Sequence, residues 1–490
     1  MAPKPTFDNR MVRWNKQCYN SRNLRLAGLD SLKHAILAPS HASTEERAAE
    51  RESPHMTRTS HRLISRWLPI GSLIILYSGF AIAYNVKVPL YEAPDEHSHV
   101  AYVDALQRTG RIPDIPRIYE AVGPPFYHAV GAATLKIVGF SPPFIGLPEN
   151  PNHATEANLW LHTPTENDLP YRGPVLSIHV LRGISMMFGI GTVVLVYLIA
   201  SLLFPGRPLL AWAAGANTAL LPQFAFVGGS VMNDTTLAFF SAAAVYSVLR
   251  IVKDGALVWV SVCAGSLALG FLTEAAMIVV AIVCALALLV SPLSWPRRGF
   301  ALTAFVAASF AVAGWFYIRN WVEFGAIYPV EKINSGLGPP RPLTDPVYRE
   351  VFLSTLQQSY WYTGGWMNVR VGGTMYQFLD VIAGMAFGGA ILMIVRNKLS
   401  PFQQRGLLIL GILFALAVFE VFWISVRISL ESQGRFLFIA QPAIALLFAL
   451  GINALFQRDS QRDHPAVLLL PAILFGLNIG IFTLTLPTYY

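Results

Sequence analysis

Charge is what this chain has least of. Asp, Glu, Lys and Arg make up 13% of its 490 residues, against 54% hydrophobic, and the mean hydropathy is +0.48. A soluble domain keeps its surface in water with about twice that charged share, so the composition points to a bilayer. Cysteine is scarcer still. Cys18, Cys263 and Cys284 are all there is, the last two inside apolar runs, which excludes a disulfide framework. An excess of one charge sign also fades on inspection. The formal charge is +8, but residues 1–66 hold 12 Lys/Arg and 6 Asp/Glu, a net +6, which leaves +2 for the rest. No basic stripe interleaved with aromatics remains, so nucleic acid is excluded as a partner. Residues 1–66 lack the cleavage layout of a signal peptide and read as a basic, disordered cytoplasmic tail. Met56 offers an alternative start within it.

What the chain does have is long apolar runs. About 20 residues are needed to span a membrane as a helix. Runs of that kind lie near 67–86, 178–204, 208–228, 235–251, 256–273, 275–291, 300–318, 376–395, 406–426, 436–455 and 466–486. The fold class is therefore all-α, a polytopic membrane protein of about eleven spans, with 67–490 as its membrane domain. The short connections "FPGRP", "LRIVKDG", "SPLSWPRRG", "VRNKLSPFQQRG" and "FQRDSQRDH" each carry Arg or Lys. Cytoplasmic loops gather such charge, so these face inward with the N-terminus, in the inner (plasma) membrane. Two long segments, 87–177 and 319–375, then fall outside and are rich in Pro, Gly, Tyr and Trp. Loops of that length inside a compact protein usually carry function.

The scarce charge concentrates where the first span ends. "VPLYEAPDEHSHVAYVDALQRTGRIP" holds Glu92, Asp95, Glu96, His97 and His99 within eight positions. Pro94 followed by two acids marks a helix start, Val100, Val103 and Leu106 recur at helical spacing, and Gly110 and Pro113 stop it. The acids have three readings. They can cap this helix and complement its dipole. Asp95, His97 and His99 are metal-ligand types, although on a helix His97 points away from the other two. Lastly, a carboxylate that is partly desolvated beside a second one can serve as a general base.

The order of motifs along the chain resembles the GT-C superfamily of integral-membrane glycosyltransferases. "APDEHSHVAY" is similar to the acidic pair that such proteins carry after their first span. "GPPFYHAV", "LRGIS", "SVMNDTTLAF", "GWFYIRNWVEFGAIYP" and "YWYTGGWMNV" follow in order, and "SQGRFLFIAQPA" resembles a Gln-Gly-Arg-aromatic signature. Two positions depart from the pattern. Val122 and Gly123 precede the Pro pair where a polar residue is usual, and Glu274 follows the Leu-Thr pair where Lys is usual.

The resemblance implies transfer of a sugar from a polyprenyl-phosphate donor to a glycan, lipid or protein acceptor on the extracytoplasmic side. In that scheme Asp95 is the leading base and Glu96 its alternate, while Arg182, Arg319 and Arg435, each at the expected outer end of a span, meet the lipid phosphate. His97, His99, Tyr127, Asn233, Asp234, Trp366 and Gln433 are the substrate-side candidates. No cofactor is implied with certainty, a divalent metal is left open, and no metal ligand is assigned. The rival class is a transporter or flippase of a lipid-linked sugar. Such a protein places polar residues deep in its spans and shows an internal repeat, and neither is visible.

Overall fold

The computed structural model describes residues 55–153, 156, 158–332, 342, 344–396, 399–427, 432–457 and 462–490. Nearly all of the basic tail expected over 1–66, and 333–341 of the second long loop, lie outside the described residues. The chain divides into the units Met1–His61 and Arg62–Tyr490, and every candidate span among the described residues belongs to the second.

In chain order the helices of that second unit are α1 (Trp67–Lys87), α2 (Glu96–Thr109), α3 (Phe126–Val138), α4 (Gly173–Leu203), α5 (Pro208–Ala219), α6 (Pro222–Gly228) and α7 (Asp234–Asp254). After them come α8 (Val258–Phe271), α9 (Met277–Leu289), α10 (Trp295–Phe324), α11 (Leu353–Trp361), α12 (Gly373–Arg396), α13 (Pro401–Arg427), α14 (Gln441–Phe456) and α15 (Leu469–Gly480). Two strands of two residues, β1 (Thr363–Gly364) and β2 (Val369–Arg370), form an antiparallel hairpin in the second long loop. By helix length and composition the chain is a multi-pass membrane protein, with 8 candidate spans among the described residues.

Eight candidate spans among the described residues stand against the expected eleven, and each difference has a local cause. The run 208–228 breaks into α5 and α6 because Pro222, at the first turn of α6, lacks the N–H that would continue α5. The runs 256–273 and 275–291 become α8 and α9, 14 and 13 residues long, on either side of a turn that holds Glu274. Hydropathy measured how apolar these runs are and overlooked where the backbone turns.

The core is continuous through the bundle, with α4, α5, α7, α8, α9 and α14 contributing most of the buried apolar side chains. α12 and α14 cross through glycine: a Cβ on Gly451 would fall onto the Ala386 carbonyl, so the two backbones touch directly. A 3-10 segment, Gly434–Ala440, leads into α14 and is pinned to α11, where the Gly434 N–H donates to Ser359 Oγ at 2.7 Å. A Cβ on Gly434 would fall onto the Tyr360 backbone nitrogen. Glycine there serves this contact within the chain. One end of the bundle thus gathers the end of α1, the starts of α2 and α7, the α8–α9 turn and the Gly434 segment.

Candidate active site

Asp95 precedes α2 in the left-handed backbone region, φ 65°, and its side chain makes no capping hydrogen bond. Left-handed geometry costs most side chains about 1–2 kcal/mol, Asp and Asn less. It turns the carboxylate away from its own helix. Oδ1 accepts from Tyr119 Oη at 2.9 Å, and Oδ2 pairs with Arg435 Nη2. The side chain stays 23% exposed. Helix capping therefore does not account for Asp95.

Glu96 is different in kind. It is fully buried and bound side-on by Arg182, with Nε to Oε1 and Nη2 to Oε2 both at 2.7 Å. The Tyr91 and Val231 N–H groups donate to the same carboxylate at 2.9 and 2.8 Å. Arg182 completes its donor set on the carbonyls of Asn85, Val88 and Pro89. All five guanidinium N–H groups are thus committed. Arg182 sits nine residues into α4 with no exposure, so the expectation that it meets a lipid phosphate is corrected: it closes a buried ion pair. Glu96 as an alternate base is corrected on the same ground, since four donors occupy its lone pairs.

Arg435 holds the other cluster together. Besides Asp95 it faces Asp234, with Nη1 3.7 Å from Oδ2 at the start of α7. Asn233 donates to Glu274 Oε2 at 3.2 Å, and Tyr328 donates to Oε1 at 3.3 Å. His99 Nδ1 lies 2.9 Å from His128 Nε2 and 3.8 Å from Glu120 Oε2. Burial, followed by the charge of Arg435, pushes the His99 pKa down to about 3, so this imidazole is neutral. The result is a cluster of four carboxyl groups (Asp95, Glu120, Asp234 and Glu274), of which Asp95 and Asp234 share the Arg435 guanidinium.

The remaining candidates sit elsewhere. His97 stacks on Trp160 at 4.5 Å and meets Tyr91 and Phe144 edge-on, an aromatic box apart from Asp95. Tyr127 is buried and shares a 2.7 Å hydrogen bond with Ser185 Oγ, a packing role. Trp366 donates its indole N–H to the Tyr91 carbonyl at 3.0 Å, tying the β-hairpin to the first loop. Gln433 accepts the Phe436 N–H through its own carbonyl at 3.2 Å and so starts the 3-10 turn. Arg319 pairs with Glu323 one turn along α10 at 3.0 Å and does not join the Arg435 cluster. Among the described residues, no group of three or more His, Cys, Asp or Glu is arranged to hold a metal ion. Sequence reasoning missed Tyr119, Glu120 and Tyr328 and left Glu274 as a mere departure. Only Glu274, an acid inside an apolar stretch, carried a signal.

A second polar cluster buttresses this site. His162 bonds Glu92 Oε1 through Nε2 at 2.9 Å and Glu166 Oε2 through Nδ1 at 2.8 Å. Both glutamates already accept backbone N–H groups, from Leu159 and Trp160 and from Thr163. With an acid on each ring nitrogen, the arrangement suits an imidazolium that donates from both. Burial lowers its pKa, but the hydrogen bonds and charges of Glu92 and Glu166 outweigh it, and the net shift is upward from 6.5. A raised histidine pKa gives stability that is complete below the unfolded value and is lost as pH climbs through the folded one. A hydrogen bond to a charged group contributes about 1.5–3 kcal/mol. Amide exchange at Leu159 and Trp160, corrected for intrinsic rate, should therefore accelerate roughly tenfold or more on alkalinisation. Protection that ignores pH would show that His162 is not the clasp.

Residues 176–317 match the model of the family described as dolichyl-phosphate-mannose-protein mannosyltransferase. Among solved structures, the chain is similar to ArnT from Cupriavidus metallidurans in the apo state, with 15% identity and a TM-score of 0.48 over 80% of this chain and 60% of that one. The undecaprenyl-phosphate-bound form of ArnT matches with 15% identity and a TM-score of 0.42, over 77% of this chain and 60% of that chain. The S. cerevisiae protein O-mannosyltransferase Pmt1-Pmt2 complex bound to the sugar donor matches with 16% identity and a TM-score of 0.37, over 53% and 34%. This chain spans about 60% of the length of ArnT. No curated protein gives a significant match. Across residues 176–317 the chain thus carries the sequence pattern of the family described as dolichyl-phosphate-mannose-protein mannosyltransferase.

Proposed function

We propose that the chain transfers a sugar from a polyprenyl-phosphate donor to an acceptor on the extracytoplasmic side of the membrane, with Asp95 as general base. The observation that carries this reading is the contrast within the acidic pair. Glu96 is locked into the fold, whereas Asp95 keeps a partly exposed carboxylate held by one arginine and one tyrosine. An acceptor hydroxyl placed there can give its proton to Asp95 as its oxygen attacks the anomeric carbon. The bond from that carbon to the phosphate oxygen then breaks, and the lipid phosphate leaves with the electron pair.

Arg435 meets that leaving group. Its guanidinium is shared between Asp95 and Asp234. A phosphate carries more charge than either carboxylate and draws the guanidinium toward itself, which releases Asp95 to accept a proton. An apolar groove of about 1000 Å³ between α8, α9 and α10 supports a lipid donor. Its lining includes Ala275, next to Glu274, and Ile327, next to Tyr328, so a lipid tail lying there ends one residue from the pocket.

The test supplies membranes with a radiolabelled polyprenyl-phosphate hexose and follows label as it leaves the lipid. Arg435→Lys should insert normally yet lose about ten- to a hundredfold in turnover, because an ammonium cannot hold two phosphate oxygens at once. If Arg435 only balances Asp95 and Asp234, Lys will replace it at little cost. Equal turnover of the Lys variant and wild type would sink the phosphate assignment.

A further inference from the structure

Glu120 stands in the 3-10 turn Tyr119–Val122, one residue after the tyrosine that holds Asp95. Its backbone N–H donates to Ser98 Oγ at 3.2 Å, which fixes the turn against α2. Its carboxyl is not fixed in the same way. The closest ring nitrogen, His99 Nδ1, is 3.8 Å away, beyond hydrogen-bond reach, and among the described residues Glu120 makes no other ion pair. The charges facing it are Asp95 from the residue before α2, Glu274 from the α8–α9 turn, Asp234 from α7 and Arg435 from the Gly434 segment. Arg435 is already divided between Asp95 and Asp234. A fourth anion beside three carboxylates and one shared guanidinium is disfavoured.

We propose that Glu120 works in its protonated form, donating its O–H to a hydroxyl of the bound sugar or acceptor beside Asp95. The proposal rests on the transferase reading of this pocket. Two neighbouring carboxyls in unlike surroundings can take different tasks, one accepting a proton and a neutral one donating a hydrogen bond. Neutrality also spares an anionic donor a further repulsive charge. Burial and the charges of Asp95 and Glu274, against the pull of Arg435, hold the Glu120 carboxyl well above the usual carboxylate range. His99 does not take the proton in its place, since burial keeps that ring neutral.

The decisive experiment needs no substrate. Infrared difference spectra of the full chain in lipid nanodiscs, taken from about pH 5 to about pH 9, should show a protonated-carboxyl C=O band at neutral pH that fades on alkalinisation. Burial raises the Glu274 pKa as well, so the band is assigned by subtraction: Glu120→Gln should remove the component that fades on alkalinisation, whereas Glu274→Gln should leave that component. A band that survives in Glu120→Gln and vanishes in Glu274→Gln puts the proton on Glu274 and overturns the proposal. So does a wild-type spectrum without a neutral-pH band.

Transfer from a radiolabelled polyprenyl-phosphate hexose supplies the second readout. Activity should fall as pH rises through the Glu120 titration, because only the neutral form donates. Glu120→Gln keeps a donor and should lose only about three- to tenfold, but its alkaline fall should disappear. Persistence of that fall in the Gln variant would refute the role. Wild-type protein that shows the band yet moves no label rejects the transferase reading instead, which keeps the two failures apart.

Discussion

Asp95→Asn should abolish sugar transfer while the protein remains folded and inserted, with turnover down about 10²–10⁴-fold, the usual worth of a positioned proton acceptor. The substitution is chosen for what it preserves. Asn tolerates the left-handed backbone at this position at least as well as Asp, so the start of α2 keeps its shape. The amide oxygen can still accept from Tyr119, so the contact that orients the side chain survives. What is lost is proton affinity and the ion pair with Arg435, since the amide NH2 then faces the guanidinium. Asp95→Ala is a poorer probe, because it adds backbone strain to the chemical loss. Label release from the polyprenyl-phosphate hexose measures the effect, and detergent-solubilised monodispersity checks the fold. Turnover near wild type in the Asn variant would remove Asp95 from the chemistry.

The second large effect concerns stability. Arg182→Met and Glu96→Gln should each destabilise the protein by about 3–5 kcal/mol, the cost of leaving one partner of a buried ion pair uncompensated. Unfolding titrations in mixed micelles measure this loss. The double variant Glu96→Met/Arg182→Met should recover only part of it. The pair also satisfies the carbonyls of Asn85, Val88 and Pro89 and the N–H groups of Tyr91 and Val231, and methionine satisfies none of them. Full recovery would mean that water or a rearranged loop takes over those groups. Adjacent acids thus separate cleanly: one substitution yields a folded, inactive protein, and the other a protein that unfolds early.

Asp95 was legible in the sequence because acids are rare in this chain and five titratable residues crowd one rim. Its distinction from Glu96 was not, since it depends on Arg182, 86 positions away, and on which side of the backbone each carboxylate leaves. The place of Glu120 and Glu274 beside Asp95 was hidden for the same reason, although Glu274 stood out as an acid in an apolar stretch. Each is a single acid in its own stretch, and only the fold brings them to Asp95 across long separations. Arginine position misled in a related way. Arg182, Arg319 and Arg435 look alike from a span map, yet the first is enclosed, the second pairs along its own helix, and only the third reaches the pocket. Three span starts marked by a proline were placed about five residues late, at 178, 300 and 406 against Gly173, Trp295 and Pro401. Span ends were misread where an apolar run continued across a turn, as at Pro222 and Glu274.

The hairpin of α8 and α9 has a mechanical consequence for the surrounding lipid. Helices of 14 and 13 residues are about 21 and 20 Å long at 1.5 Å per residue, against a hydrocarbon layer of about 30 Å. A hydrophobic element that short makes the bilayer beside it thin, at a cost that grows with each ångström of mismatch. The apolar groove lies along the same two helices. On the proposed reading the leaflet dips where a lipid-linked donor would enter, which lowers its head-group toward the depth of the Glu274 turn. On that reading the membrane itself, through its thickness, would be part of how the donor is delivered.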